Sequence, residues 1–359
     1  MSFEAPLVVG IETSCDDTAC AVLDGGGRVL SSVVSSQMEA HRPYGGVVPE
    51  IASREHLRNW PRVSDRALRE AGVELEDVAV VAATRGPGLV GSLLVGLSLG
   101  KSLAYGLGLP FHGIHHLEGH LYSPFLRGLA EEAEALPERF VGLVVSGGHT
   151  SLLEVSGPSV SSLAETRDDA MGEVFDKVGK RLGLPYPQGP LVDRLAELGD
   201  ARHAPLPIPS TKASLDFSYS GLKTQTLVEL ERLERAGADT TYRPDEDPPF
   251  REEVLHLLAG FREAAAEQIL RRLRRLHRRR KIPFLAVSGG AAANRLLRRK
   301  LLAWATQEGI ELRLVPLRYA GDNAAMIAHA GLLRQRRSLH DDPFTAEASG
   351  RIPFDRPAP

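Results

Sequence analysis

His116 and His120 in the segment HHLEGH stand four residues apart, so a helix through this segment projects both imidazoles from one face, where they can grip one metal ion. On spacing alone, two polar surface histidines read the same way, and their neighbours must decide. A zinc peptidase of the H-E-x-x-H type has glutamate directly after the first histidine. Here that position is Leu117, and Glu118 is turned by about 100° around the helix. A third ligand is wanted. Asp322, in LRYAGDNAAMIAHAG, stands between a strand-like stretch and a helix start, where a carboxylate serves either as a ligand or as an N-cap. Two histidines and one carboxylate leave coordination positions open, which suits one iron(II) per chain and also accommodates zinc. His115 lies off the shared face and reads as a supporting residue.

Glycine pairs close two strand-like stretches, in SGGHT and SGGAAAN. Missing side chains there let backbone N–H groups approach an anion or a nucleotide ring. Ligand-free tight turns explain most such pairs, but two of them together with the polar turn from Thr13 to Thr18 point to a nucleotide site. GLSLGKS, residues 96–102, has Val95 where a P-loop needs its first glycine and sits in an apolar helical pattern, so it reads as helix packing. RRLRRLHRRRK, residues 271–281, carries its leucines on one helical stripe with Ile269, and its arginines read either as a solvated face or as phosphate contacts for an RNA.

These residues need strands and helices to position them. LVVGIETSCDDTACAVLDGGGRVLSSVV reads as a β-meander, and a similar unit returns at FVGLVVSGGHTSLLEVSG, with strands at 140–145 and 151–155. That echo suggests a duplicated fold. Helices are expected around 50–71 and 92–107 with a strand at 78–83 between them, and the chain turns mainly helical after residue 160, through a proline-rich passage at 185–209 and helices near 221–236 and 251–280. Strands resume at IPFLAVSGG and ELRLVPL. The motifs thus fall at strand ends, where open α/β sheets hold their ligands.

With 359 residues, the chain is expected to form two lobes, at 1–138 and 139–359. Its 43% hydrophobic and 25% charged residues supply two cores, and a net charge of −3 confines any RNA contact to a local patch. Cys15 and Cys20 are the only cysteines and are too close in sequence to frame a disulfide scaffold, which fits the cytoplasm. The N-terminal stretch has no signal-peptide pattern, and no membrane span is expected.

Nine segments, in order, resemble the tRNA adenosine threonylcarbamoyltransferase family, a glycoprotease-like family, over nearly the whole chain. They are GIETSCDDTACAV, YGGVVPEIASREH, GPGLVGSLLVGLSLGKSLA, HHLEGH, VVSGGHTSL, DDAMGEVFDKVGKRLGL, DFSYSGLKTQ, SGGAAANRLLR and GDNAAMIA. The resemblance implies an actin-like, sugar-kinase-like α/β fold of two ribonuclease-H-like lobes, the second carrying a helical insertion at about 163–280. It implies His116, His120 and Asp322 as metal ligands, and Val145, Ser146, Gly147, Gly148 and His149 as nucleotide-phosphate contacts. Asp176, Gly189, Asp193 and Asn294 would hold the nucleotide's sugar and base, and Asp16 and Asp17 are acidic residues linked to activity. The implied reaction moves a threonylcarbamoyl group from threonylcarbamoyl-AMP to the exocyclic amine of the adenosine on the 3′ side of the anticodon, releasing AMP. Implied partners are tRNA, a paralogous subunit and a small ATPase. Two positions depart from the family pattern: Asp17 stands where glutamate is usual, and Gln188-Gly189 where Gly-Gly is usual. A non-catalytic scaffold paralogue of the same fold is the main rival, and retention of HHLEGH with Asp322 argues against it.

Overall fold

LVVGIE carries no polar side chain before its last residue, as a strand covered on both faces requires. It forms β1 (Leu7–Glu12), the central strand of a five-stranded sheet in the computed structural model, which describes residues 3–131, 136–208 and 214–354. β2 (Asp17–Leu23) and β3 (Val29–Ser36) follow as an antiparallel meander. After α1 (Met38–His41) and α2 (Pro49–Ala71), β4 (Val78–Gly86) pairs in parallel on the other side of β1. α3 (Val90–Leu107) leads to β5 (Phe111–His115), and α4 (His116–Tyr122) leaves β5 without a loop. The sheet order is β3-β2-β1-β4-β5.

Strand alternation sorts the residues of β1 between two layers. Leu7, Val9 and Ile11 enter a core with Val22, Val63, Ala67, Val81, Leu97 and Phe111, leaving Val8, Gly10 and Glu12 on the opposite face. Among the described residues, α3 is the one helix long and apolar enough to cross a membrane. Its Ser92, Leu93, Gly96, Leu97, Gly100 and Ala104 are buried, and it packs on β4 and α2. A Cβ on Gly96 would lie 2.2 Å from Thr13 Oγ1 and one on Gly100 2.8 Å from Ala83 Cβ, so GLSLGKS is packing rather than a phosphate loop.

Residues 138–314 form a second unit with the same topology. β6 (Arg139–Val145), β7 (Thr150–Ser156) and β8 (Ser159–Glu165) make its meander. The helical insertion follows as α5 (Met171–Arg181), α6 (Gln188–Leu195), α7 (Ser220–Arg235) and α8 (Glu252–Arg279). Residue 209, the end of the proline-rich passage, lies outside the described residues. β9 (Phe284–Ser288), α9 (Arg295–Glu308) and β10 (Glu311–Leu314) complete the order β10-β9-β6-β7-β8, with β9 parallel to both neighbours. In each unit a central strand is flanked by two antiparallel strands on one side and two parallel strands on the other, so the echo in the sequence is a duplicated architecture. Val141, Leu143, Phe175, Phe217, Phe261, Leu273, Leu285 and Leu301 share the core of this unit.

The expected lobe of 139–359 is corrected at its end: Val315–Pro359 belongs with Met1–Pro137. The reason is α10 (Ala324–Arg336), which packs on β1, β2 and β4 and against α4. Small residues on both partners permit the approach. A Cβ on Gly10 would sit 2.2 Å from Ala324 O and 2.7 Å from Ala328 N, and one on Gly331 2.6 Å from Ala82 Cβ. Gly10→Ala should therefore force backbone apart and cost ~1–3 kcal/mol, measured by urea unfolding, with Gly10→Val costing more. A Gly10→Val protein as stable as the parent would contradict this packing.

Candidate active site

β5 ends and α4 begins between His115 and His116, and the junction is held by His115. Its Nδ1 accepts from Leu117 N at 3.2 Å, and its Nε2–H donates to Ile352 O at 3.1 Å. One turn of α4 brings the His116 and His120 rings to 4.7 Å between centroids, 86° apart in plane. Asp322 reaches both, with its Oδ1 3.1 Å from His120 Nε2 and 3.5 Å from His116 Nε2. It is not the cap of α10: Asn323 is, accepting from Met326 N at 3.0 Å. The three candidate donor atoms lie within 4.8 Å of one another, with both histidines buried and Asp322 half-buried. Glu118 faces away and pairs with Arg334, Nη2 to Oε2 at 2.8 Å and Nε to Oε1 at 3.1 Å, so it cannot serve as a hydrolytic base beside the histidines.

A residue the sequence reading missed stands behind His116. Glu12, fully buried at the end of β1, lies with Oε2 3.1 Å from His116 Nδ1 and accepts Thr84 Oγ1–H at 2.6 Å. Its Oε1 accepts from Ser14 N. Burial opposes a charged His116, but Asp322 and Glu12 override it and lift the imidazole to about 10. Burial likewise opposes a charged Asp322, and His116 overrides it, holding the carboxyl well below its ordinary value. The buried Glu12 and the half-buried Asp322 thus draw positive charge to the point where two imidazole nitrogens and a carboxylate oxygen converge. That donor set fits a divalent cation.

The turn carrying Asp16 and Asp17 is held by side chains from YGGVVPEIASREH and the residues just before it. His56 Nε2–H donates to Cys15 O at 3.0 Å, and His56 Nδ1 lies 2.8 Å from Thr18 Oγ1 and 3.1 Å from Gln37 Nε2. Gln37 N also donates to Asp16 O at 2.9 Å. Burial first, then Asp322 and Asp16, push the Asp17 carboxyl up to about 7. Neither thiol is a nucleophile: burial and then Asp16 push Cys15 far up, and burial pushes Cys20 up to about 12.

In the second unit a cavity of about 470 Å³ is lined by Gly147, Asp176, Gly189, Asp193 and Asn294 among the expected nucleotide residues. Asp176 Oδ1 accepts from Gly189 N at 2.7 Å, Asn294 Nδ2 donates to Asp193 Oδ1 at 2.6 Å, and Asn294 caps α9 through Leu297 N. Val145, Ser146, Gly148 and His149 do not line it. Val145 is buried in β6, and Ser146 and His149 close the turn, Ser146 N donating to His149 O at 2.8 Å. Met171, Gly172, Phe175, Pro187, Pro190 and Arg295 join the lining; the DDAMGEVFDKVG segment held several of them, but as one more helical pattern. Gln188 is buried with its Cβ over Gly179, whose own Cβ would come within 2.5 Å of it.

The arginines of α8 are largely engaged. Arg271 and Arg274 both pair with Glu267, Arg272 is buried with its Nε donating to Asp216 O at 3.2 Å, and Arg280 beyond the helix pairs with Glu154. The leucine stripe Leu270, Leu273 and Leu276 is buried with Ile269. The helix is thus anchored by its apolar face, with Arg278 exposed.

A family model described as tRNA N6-adenosine threonylcarbamoyltransferase matches residues 28–329. Proteins of the same description from Syntrophus aciditrophicus (strain SB) and Pelobacter propionicus (strain DSM 2379 / NBRC 103807 / OttBd1) are 44% identical over 353 residues and 46% identical over 327. The first alignment covers 97% of this chain and 98% of the relative, the second 90% and 91%. Among solved structures, T. kodakarensis HypF aligns with a TM-score of 0.60 at 15% identity, over 94% of this chain and 49% of that one. The (R)-2-hydroxyglutaryl-CoA dehydratase component A from Acidaminococcus fermentans aligns with a TM-score of 0.52 at 15% identity, over 92% and 100%. These likenesses are of fold, the actin-like and sugar-kinase-like α/β architecture.

The Asp17 shift gives a signed expectation. A carboxyl held at about 7 in the fold against an ordinary 3.8 binds its proton more tightly folded than unfolded, so it destabilises increasingly as pH rises from about 4 through 7. Asp17→Asn removes that burden. In chelator, its melting temperature relative to the parent should rise by at least ~2 °C more at about pH 8 than at about pH 5; a pH-independent difference would contradict the shift.

Proposed function

The chain belongs to the tRNA N6-adenosine threonylcarbamoyltransferase family and is an acyltransferase of tRNA modification. From that premise we propose that it moves the threonylcarbamoyl group of threonylcarbamoyl-AMP to the exocyclic amine of the adenosine on the 3′ side of the anticodon. The substrates would be tRNAs reading codons that begin with adenine. The observation that carries this reading is the convergence of His116, His120 and Asp322 with a second carboxylate, Glu12, behind them.

In this reading His116, His120 and Asp322 hold one divalent ion, iron(II) or zinc. When bound, the ion supplies Lewis-acid chemistry and open positions for donor oxygens. The protein's own residues do the rest. The cavity with Asp176, Gly189, Asp193 and Asn294 takes the adenosine part of the donor, and Gly147, in the same lining, meets its single phosphate. The amine nitrogen bonds the carbamoyl carbon, the bond from that carbon to the phosphate oxygen breaks, and AMP leaves. Asp16 accepts the proton the amine gives up. Without the ion, burial and then Asp322 push the Asp17 carboxyl up to about 7, which limits the negative charge crowded near Asp322.

The reaction is assigned to the cytoplasm, in keeping with two free cysteines. An adenylate-forming enzyme, a paralogous subunit and a small ATPase act as partners. The deciding assay supplies threonylcarbamoyl-AMP, tRNA and those partners, and reads the modified nucleoside by mass spectrometry. Modified adenosine with equimolar AMP is expected, while its absence from metal-loaded protein would sink the reading. His116→Ala, His120→Ala and Asp322→Ala should each lower the rate more than about 100-fold. Asp16→Asn should lower it by about 100-fold or more with AMP binding retained; unchanged transfer would remove Asp16 as the proton acceptor.

A further inference from the structure

Glu12 has no exposed surface, and both its oxygens are committed inside the protein. Oε1 takes the Ser14 N–H, and Oε2 takes the Thr84 hydroxyl at 2.6 Å and faces His116 Nδ1 at 3.1 Å. The strands set this up. Ile11 pairs with Ala83 across β1 and β4, so Glu12 and Thr84 emerge side by side on the face covered by α10. A carboxylate only accepts, so the proton of a neutral His116 ring sits on Nδ1 and the Nε2 lone pair is left toward Asp322 and His120.

His120 lacks such an anchor. Its Nε2 meets Asp322 at 3.1 Å, but its Nδ1 is buried with no hydrogen-bond partner among the described residues. The chain therefore fixes the tautomer and ring angle of one histidine of the pair through a dedicated carboxylate, itself pinned by a backbone amide and a hydroxyl. Among the described residues, Ser14 Oγ, 3.2 Å from the same Nδ1, is the one other group at that nitrogen.

We infer that Glu12 is a positioning residue for the metal centre, locking His116 with Nδ1 protonated so that Nε2 is its ligating atom. The inference rests on the proposal that His116, His120 and Asp322 hold an ion, and its test separates the two. Zn²⁺ affinity is measured by competition with a chromophoric chelator on the full chain, for the parent and for His116→Ala, Glu12→Gln and Ser14→Ala, with apo-protein melting curves alongside. Failure of the parent to bind Zn²⁺, or undiminished binding by His116→Ala, overturns the metal reading itself. With those controls in order, Glu12→Gln should weaken Zn²⁺ about 10–100-fold and shift the visible bands of the Co²⁺-loaded protein, while Ser14→Ala changes affinity much less. Affinity and Co²⁺ bands unchanged in a folded Glu12→Gln protein would overturn the role of Glu12.

Should Glu12→Gln fail to fold, the parent decides. Long-range ¹H–¹⁵N correlation of the Zn²⁺-loaded, histidine-labelled chain, with the His116 ring assigned through Ser14→Ala and Thr84→Val perturbations, should find Nδ1 protonated and Nε2 metal-bound. Metal on His116 Nδ1 would overturn the inference.

Discussion

At Gly10 the backbone of α10 comes directly against β1, and the proposed catalytic centre depends on that contact. Gly10 makes it possible, since a methyl group there would fall 2.2 Å from Ala324 O. Asp322 stands two residues before Ala324, so seating α10 brings a carboxylate to histidines about two hundred positions earlier in the chain. The same face of the sheet carries Glu12 from β1 and Thr84 from β4. Strand register, helix seating and the four-residue spacing in α4 therefore converge on one point, and a change in any of them displaces a ligand or its support.

The electrostatics follow from that crowding. Glu12 and Asp322 bracket His116, and Asp17 sits near enough to Asp322 for its carboxyl to be pushed up to about 7. A fully buried Glu12 with the half-buried Asp17 and Asp322 around a pair of imidazoles is costly to assemble unless positive charge is supplied. The arrangement is what a cation-binding centre requires, and it is poorly suited to a purely structural core. The second unit contributes a different kind of site: a cavity with apolar walls and a few fixed polar groups, built by the inserted helices α5 and α6 and the start of α9.

Much of this was legible in the sequence, and the gaps have physical causes. The pairing of His116 with His120 could be read because four-residue spacing is a property of the helix itself. The two meanders were readable from their apolar runs and glycine turns. β8 was not, because SVSSLAE is a half-exposed strand of small polar residues with little apolar alternation. Glu12 escaped notice because its partners, Thr84 and His116, are distant in sequence and nothing in GIETS marks its one acidic residue as buried. The return of residues 315–359 to the first unit is also long-range, set by small residues in β1 and α10 that read locally as ordinary strand and helix. Val145, Ser146, Gly147, Gly148 and His149 were expected by resemblance as phosphate contacts, and of these Gly147 lines the cavity. The arginine run of α8 looked like one uniform basic face, but Glu267 and Glu154 neutralise part of it.

The proposed metal centre lies in the first unit, and a crystal of the zinc-loaded chain tests it most directly. Anomalous scattering at the zinc edge should place a single ion in bonding contact with His116 Nε2, His120 Nε2 and Asp322. An ion bound elsewhere with these three residues left uncoordinated, in crystals grown at stoichiometric zinc, would contradict it.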